Sequence, residues 1–158
     1  MTRTDASSSR RPRILLVEDN AGDEFLVTDA FEHAGFPYEM EVARNGEEAL
    51  QRLRQEGDYA GRPSPDLVLL DLNLPRLDGR DVLRSVKSDS TLSQIPVLIL
   101  TTSSSPDDID TCYSLHANAF MTKPFEVGGY EAIVEAIRAF WFSVATLPDP
   151  LRHRGGVA

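Results

Sequence analysis

Five candidate strands, three of them short continuous apolar runs, alternate with stretches of helical periodicity along most of this chain, and this alternation limits the folds open to it. Short continuous apolar runs are typical of parallel strands that helices cover on both faces. The continuous runs lie at residues 13–17, 66–70 and 95–100. Two weaker candidates lie at 38–43, where Met40 and Val42 alternate with Glu39 and Glu41, and at 118–121, which is brief. Apolar residues recur at helical spacing after each of them. The chain therefore predicts an α/β fold with one five-stranded parallel, doubly wound sheet and right-handed crossovers.

The last helical segment is longer and more aromatic than the others. Its apolar stripe begins at Tyr130 and continues to Val144. Within that stripe, Phe140, Trp141 and Phe142 offer more aromatic surface than one helix needs to cover a sheet. We expect these three side chains either to pack into the monomer or to form a contact between two copies of the chain.

Charge is distributed unevenly along the sequence. The net charge is −9, but positions 14–151 alone hold ten cations and twenty-four acids, because both ends of the chain are basic. We expect one domain over residues 12–146, with disordered basic tails at 1–11 and 147–158. A body this acidic repels phosphate backbones, so nucleic-acid binding is not expected.

The sequence also lacks the signals of membrane insertion and export. It contains no apolar run of about 18 residues, the length that suggests a spanning helix. The N-terminus has basic residues but no apolar segment of the kind that a signal peptide requires. The expectation is a cytoplasmic protein that does not associate with a membrane.

Polar residues follow the predicted strands at the point where each strand ends. Glu18 and Asp19 follow the first run, Asp71 the third, Thr101 the fourth and Lys123 the fifth. Open parallel sheets place their ligands at the carboxyl ends of the strands. We therefore expect these five residues to meet in one cleft.

The chemistry of that cleft favours a metal ion and a phosphate. Three carboxylates within a few ångströms repel one another by several kcal/mol, so a positive charge must offset them. Oxygen donors without His or Cys suit Mg²⁺, which completes its shell with water and phosphate. Glycine-rich phosphate-binding loops are absent from the sequence. A metal, a lysine and a carboxylate aimed at phosphate indicate phosphoryl transfer onto Asp71.

Four motifs resemble a known family. VEDN, LLDLNLPRLDG, PVLILTTS and FMTKPF are similar to the corresponding segments of the receiver domain of two-component response regulators, over roughly residues 12–143. The resemblance implies a CheY-like, flavodoxin-like (βα)5 fold with Asp71 as phosphoacceptor. It also implies that Lys123 and Thr101 bind the phosphoryl group. The implied Mg²⁺ ligands are Glu18 (largely through water), Asp19, Asp71 and the backbone carbonyl of Asn73.

The same resemblance assigns roles to three further positions. Phe120 lies where the family keeps an aromatic switch residue, which would turn inward when Thr101 moves. The Lys123–Pro124 peptide bond would be cis and would help to aim the lysine. Gly79, after Asp78, would allow a backbone conformation that other residues resist.

A narrower resemblance concerns partners. The long loop at residues 54–65 and the FW-containing terminal helix look like those of receivers paired with phytochrome-type histidine kinases. This implies a red-light sensor kinase as phosphodonor and a homodimer built on the last helix. Only about a dozen residues follow that helix. The expectation is thus a single-domain response regulator that signals through altered protein contacts and catalyses only the phosphorylation and dephosphorylation of its own aspartate.

Three alternatives share the architecture or the chemistry. A haloacid-dehalogenase-type phosphatase uses an Asp nucleophile with Mg²⁺, but the second acid of its DxD signature is Asn73 here. An FMN carrier has the same fold, but the acids after the first strand would repel the FMN phosphate. The third alternative is a receiver that no longer accepts phosphate and acts as a scaffold.

Overall fold

A computed structural model describes residues 10–149 of the chain. Its five strands form one parallel sheet in the order β2-β1-β3-β4-β5. The strands are β1 Arg13–Val17, β2 Glu39–Ala43, β3 Leu67–Leu70, β4 Val97–Thr101 and β5 Ala119–Thr122. The predicted doubly wound α/β fold is confirmed. The predicted tails, at residues 1–11 and 147–158, fall mostly outside the described residues.

Five α-helices connect and follow the strands. They are α1 Ala21–Ala34, α2 Gly46–Leu53, α3 Gly79–Ser88, α4 Pro106–Ser114 and α5 Gly129–Ala139. The first four start at a capping side chain that accepts a hydrogen bond from a backbone N–H of the first turn. The capping residues are Asn20, Asn45, Asp78 and Ser105. Each of these caps lies in a loop at the carboxyl edge of the sheet, the edge at which the predicted site residues lie.

The core consists of two layers, one on each face of the sheet. Leu15 and Val17 of β1 pack towards the side that α2 and α3 cover. Ile14 and Leu16 of the same strand pack towards α1 and α5. Because both faces are covered, neighbouring residues of β1, β3 and β4 are similarly buried, which explains their continuous apolar runs; the edge strands β2 and β5 are only partly buried.

Gly79 is required for space and not for an unusual conformation, which corrects the expectation from the sequence. It is buried, and it is not among the described residues with positive φ. A Cβ atom at Gly79 would clash with the carbonyl oxygen of Asp71 and with the Cα of Leu72. The start of α3 therefore lies directly against the loop that follows β3.

The end of the last helix differs from the single long α-helix predicted. Regular α-helical bonding ends at Ala139, and Phe140–Val144 form a π-helical turn. The N–H of Ala145 donates to the carbonyl of Phe140 at 2.7 Å, which closes this wider turn. The apolar stripe was therefore predicted correctly as packing surface but wrongly as continuous α-helix.

The aromatic side chains of that turn divide between the core and the surface. Trp141 and Phe142 are partly buried against the α1/α5 side of the core, and the ring of Phe142 lies 6.0 Å from that of Phe36. Phe140 remains 52% exposed and meets Trp141 edge to face. Two of the three aromatics thus pack into the monomer, and the third is available at the surface.

Buried charged residues at the amino-terminal edge of the sheet lie in ion pairs. Asp66 is buried and accepts hydrogen bonds from the guanidinium of Arg10, at 2.8 and 3.0 Å, and from the backbone N–H of Arg13. Arg10 belongs to the segment assigned to the N-terminal tail. Arg52, also buried, donates two hydrogen bonds to Glu41, at 2.6 and 2.9 Å.

The long loop at residues 54–65 is anchored to the same edge. Arg52 donates to the carbonyl of Pro63 at 2.7 Å, and Arg62 pairs with Glu41. The guanidinium of Arg62 also lies over the ring of Tyr59, 5.1 Å from its centroid. These contacts fix both the middle and the end of the loop.

Lys87 anchors the connection between α3 and β4. Its Nζ donates to the carbonyls of Ser93 and Ile95 and to the side-chain oxygen of Asn118, at 2.9 to 3.1 Å. All three acceptors are neutral, so burial lowers the pKa of Lys87 below its usual value.

Candidate functional site

Three carboxylates meet at the carboxyl edge of the sheet. Glu18, Asp19 and Asp71 each offer an oxygen, and these atoms all lie within 4.8 Å of one another. Glu18 and Asp71 are buried, whereas Asp19 is exposed. The loops after β1 and β3 thus bring together the acids that the sequence separates by more than fifty positions, as predicted.

Lys123 joins this group through three ion pairs. Its Nζ lies 2.6 Å from Oε1 of Glu18, 2.8 Å from Oδ2 of Asp71 and 2.7 Å from Oδ2 of Asp23. A lysine ammonium group has three N–H donors, so each donor has one carboxylate partner. Asp23, in the first turn of α1, was not among the predicted site residues.

The sequence shows Asp23 as an acid in the first turn of a helix, which is a common position for an acid and does not by itself indicate a functional site. It lies three residues after Asn20, and its N–H donates to the side chain of that N-cap at 2.9 Å. Acids in the first turn are common because the helix dipole favours them. Nothing local shows that this acid reaches a lysine one hundred positions away.

The backbone of Lys123 is held by strand β4. Its N–H donates to the carbonyl of Thr101 at 2.7 Å. The Lys123–Pro124 peptide bond is trans, since the described residues contain no cis peptide, and this corrects the predicted isomer. The trans form is the lower in free energy by about 0.5–1 kcal/mol. The three ion pairs and the bond to Thr101 aim the lysine instead.

Short backbone contacts fix the acidic loops. The N–H of Asp71 donates to the carbonyl of Val17 at 3.1 Å, which continues the pairing of β1 with β3. The N–H of Asn73 lies 3.3 Å from Oδ1 of Asp71, and that of Asn20 lies 3.2 Å from Oε2 of Glu18. Asn73 is exposed beside the carboxylates, where its carbonyl was predicted to be a metal ligand.

Thr101 contributes an unpaired hydroxyl. It ends β4, next to β3, and is fully buried. Among residues 10–149, its Oγ1 has no hydrogen-bond partner. Leaving such a group unpaired costs about 1–3 kcal/mol, so the hydroxyl is available for a ligand that brings an acceptor.

Phe120, the predicted switch residue, lies on β5 one strand away from Thr101. It pairs in register with Ile99 of β4. The side chain is half-buried and packs against the side of the core that contains α2 and α3. Its ring is therefore neither fully inside nor fully solvated.

Electrostatics in the cleft follow from burial and close contact. Burial, and secondly repulsion from Asp71, raises the pKa of Glu18 to about 7, although Lys123 opposes the shift. Burial alone would lower the pKa of Lys123, but its bonds to Asp23, Asp71 and Glu18 raise it above the usual value. The lysine is thus a permanent cation at neutral pH.

A second polar group lies after β4, in the loop before α4 and the first turns of α3 and α4. Oδ2 of Asp108 accepts from the hydroxyl of Ser103 at 2.5 Å, and Oδ1 accepts from Arg80 at 2.5 Å. The bonds from Ser103 and then from Arg80 lower the pKa of Asp108. This group links the loop before α4 to the first turn of α3.

Residues 14–138 match the family model described as the response regulator receiver domain. The chain belongs to this family. Among curated relatives of this receiver chain, the response regulator Rcp1 of Synechocystis sp. is 42% identical over 135 residues, which cover 85% of the chain and 92% of Rcp1. The probable methanogenesis regulatory protein FilR2 of Methanothrix harundinacea is 44% identical over 138 residues, 87% of the chain and 88% of FilR2.

Solved structures of receivers agree with the fold described above. The phosphorylated cyanobacterial phytochrome response regulator RcpA is 48% identical to this chain. The two structures match with a TM-score of 0.85, and the match covers 89% of this chain and 100% of RcpA. The Mn²⁺-bound form of Rcp1 is 40% identical, with a TM-score of 0.82, and covers 87% of the chain and 99% of Rcp1.

The acidic cluster of this receiver suits a divalent ion. It offers oxygen donors only, from Glu18, Asp19 and Asp71, and it lies beside an exposed loop from which water can complete a coordination shell. The donor set therefore fits the metal that the family resemblance implies. Within residues 10–149, no helix has the length and apolar character needed to cross a membrane.

Proposed function

We propose that this receiver is a two-component response regulator that accepts a phosphoryl group on Asp71 in a Mg²⁺-dependent reaction. The observation that carries the proposal is the arrangement around Asp71. A buried carboxylate pairs with a buried lysine at 2.8 Å, beside two more acids and an unpaired buried hydroxyl. A purely structural ion pair would not need the additional acids or the unsatisfied Thr101.

The transfer uses a carboxylate oxygen of Asp71 as nucleophile. That oxygen forms a bond to phosphorus while the bond between phosphorus and the donor nitrogen breaks, and the leaving imidazole takes up a proton. Lys123 offsets charge on the phosphoryl oxygens, and the Thr101 hydroxyl donates to one of them. The same group is lost when water attacks phosphorus and inorganic phosphate leaves. The regulator thus catalyses only changes to its own aspartate.

A Mg²⁺ ion would be held by Asp19, Asp71 and the carbonyl of Asn73, with Glu18 acting largely through water. When bound, the ion supplies positive charge next to the phosphoryl oxygens. The Mn²⁺-bound form of Rcp1 supports a divalent site in a close relative.

Phosphorylation of Asp71 would signal by changing the shape of the protein surface near β5. New acceptor oxygens on Asp71 would draw the unpaired hydroxyl of Thr101 inward. Phe120, now half-buried, would then turn into the space that Thr101 leaves. Two such states need only a few kcal/mol of differential binding to exchange populations.

We propose a sensor histidine kinase as the phosphodonor and a bacteriophytochrome as the first candidate. RcpA is a phytochrome response regulator, which supports this choice. FilR2, at 44% identity, is a probable methanogenesis regulator, so other kinases belong in the test. The exposed Phe140 beside Trp141 supports a homodimer through the last helix, with Phe142 behind them. A cytoplasmic location is part of the same proposal.

The test is phosphorylation followed by intact mass. Incubation with phosphoramidate and Mg²⁺ is expected to add one phosphoryl group to the wild-type chain and none to Asp71→Asn. Omission of Mg²⁺ is expected to abolish the gain. An equal gain in Asp71→Asn would overturn the assignment. Phosphotransfer from a panel of histidine kinases that includes a bacteriophytochrome then identifies the donor.

A further inference from the structure

The ion pair between Asp23 and Lys123 has no part in the phosphoryl-transfer chemistry described so far. Asp23 is not one of the three carboxylates that share oxygens within 4.8 Å. Its Oδ2 nevertheless lies 2.7 Å from Nζ of Lys123, as close as the partners of that lysine inside the cluster. A side chain from α1 therefore takes one of the three donors of the lysine that faces Asp71.

This leaves Lys123 with no free donor for a phosphoryl group. An incoming phosphoryl group brings acceptor oxygens within reach of Nζ while Asp71 is still a free carboxylate. To bind one of them, the lysine must release a carboxylate, because an ammonium group has only three N–H bonds.

Exposure decides which carboxylate is released. The side chain of Glu18 is 2% exposed and that of Asp71 is 6% exposed, whereas that of Asp23 is 28% exposed. A released carboxylate must regain water, and the most exposed of the three does so at the lowest cost. Asp23 is therefore the partner that gives way.

We propose that Asp23 is a positioning residue that competes with the phosphoryl group for Lys123 and so slows phosphoryl uptake by Asp71. The proposal rests on the proposed function. Asp23 itself forms and breaks no covalent bond and transfers no proton. Uptake forms the bond from Asp71 oxygen to phosphorus and breaks the bond from phosphorus to the donor's leaving group, which departs with the electron pair.

A second effect of Asp23 acts in the same direction. Asp23 and Asp71 bind the same Nζ atom, so their oxygens cannot lie further apart than the sum of their two distances to it. An incoming anion meets the negative charge of Asp23 as well as the acids of the cluster. The penalty grows with the charge of the donor.

The experiment compares Asp23→Asn with wild type by intact mass, using two phosphodonors at fixed pH, salt and Mg²⁺. Acetyl phosphate is a dianion near neutral pH, and phosphoramidate is a monoanion. Asp23→Asn is expected to take up the phosphoryl group about fivefold faster from acetyl phosphate and less than that from phosphoramidate. A structural role of Asp23 would change both rates by the same factor.

Glu24→Gln is the matched control. Glu24 is the next residue of the same turn and pairs with Arg44 instead of Lys123, at 3.0 Å. The substitution removes one negative charge from the same helix and is expected to leave both rates within twofold of wild type. Asp23→Glu keeps the charge and is expected to restore slow uptake.

Each result decides a separate question. If wild type gains no mass from either donor, the proposed function fails. If wild type is phosphorylated but Asp23→Asn is as slow as Glu24→Gln, or slower, the competition is overturned. An acceleration equal for the two donors overturns it as well. Thermal melting of each variant confirms that the compared proteins are folded.

Discussion

The two edges of the sheet differ in how far their buried charges are balanced by partners of opposite charge. At the amino-terminal edge the two buried charges described above each have a partner of opposite charge: Asp66 has Arg10, and Arg52 has Glu41, although Nη1 of Arg52 has no hydrogen-bond partner among residues 10–149. At the carboxyl edge four acids lie close together beside one lysine, Lys123, which pairs with three of them. The first arrangement completes the fold, whereas the second leaves negative charge that only a ligand can offset.

The two lysines of these edges show the difference most clearly. Lys87 donates to three neutral oxygens, and burial lowers its pKa. Lys123 donates to three carboxylates, which raise its pKa against the effect of burial. Similar donor geometry thus serves a loop connection in one case and, in the other, the acidic cleft for which we propose phosphoryl transfer.

The largest expected effect comes from exchanging the two lysines for methionine, one at a time. Lys123→Met is expected to slow phosphoryl uptake about 100-fold, since a cation aimed at developing charge contributes on that scale. Lys87→Met is expected to leave uptake within twofold of wild type. Initial rates with phosphoramidate check both variants. Equal slowing in the two would mean that the edges are not functionally distinct.

The next effect concerns stability at the amino-terminal edge. Arg52→Met is expected to lower the free energy of unfolding by about 2 kcal/mol, because it removes hydrogen bonds to Glu41 and Pro63 in a buried position. Urea denaturation measures the change. The exposed pair of Arg76 with Glu47 supplies the control, and Arg76→Met is expected to cost less than about 0.5 kcal/mol. A loss as large in Arg76→Met would remove the contrast between buried and exposed pairs.

At the carboxyl edge, Mg²⁺ is expected to stabilise the fold. Binding to the native state alone contributes about 1.4 kcal/mol when free Mg²⁺ is ten times its Kd. Urea titrations with Mg²⁺ or with EDTA test this. Asp19→Asn is expected to lose most of the gain, because Asp19 belongs to the acidic cluster. A wild-type melting temperature that does not respond to millimolar Mg²⁺ contradicts the assignment of the cluster as a metal site.

The smallest effect is the pH dependence of the pair between Glu41 and Arg52. Hydrogen bonding to Arg52 lowers the pKa of Glu41 below its usual 4.5. A carboxyl whose pKa is depressed on folding stabilises the native state above its unfolded pKa and loses this as pH falls. The stability difference between wild type and Glu41→Gln should therefore shrink between pH 7 and pH 3. A constant difference would show that charge on Glu41 contributes nothing.

Much of the fold and part of the site could be predicted from local sequence patterns. Strands β1, β3 and β4 are buried on both faces and require continuous apolar runs, which located them to within a few residues, whereas the edge strands β2 and β5 were located from weaker patterns. The grouping of Glu18, Asp71 and Lys123 followed because parallel strands share one carboxyl edge. The ion pairs at the amino-terminal edge could not be predicted, since the partners of Asp66 and Arg52 lie in other segments of the chain that only folding brings close.

The features that were missed depend on packing between distant segments. Asp23 reaches Lys123 only because α1 begins beside the loop after β5. Gly79 needs its small size because α3 starts against Asp71. The π-helical turn at Phe140–Val144 places Trp141 and Phe142 against the core, which periodicity within α5 alone does not reveal.

That turn also matters for anyone who extends the protein. A π-helical turn contains more residues than an α-helical one, so it shifts the phase of whatever follows. A reporter coiled coil fused in register with Tyr130 and Ile137 would point its heptad seam away from the intended partner. Because the backbone becomes extended at Ala145, a fused helix needs a start of its own and cannot take its phase from α5.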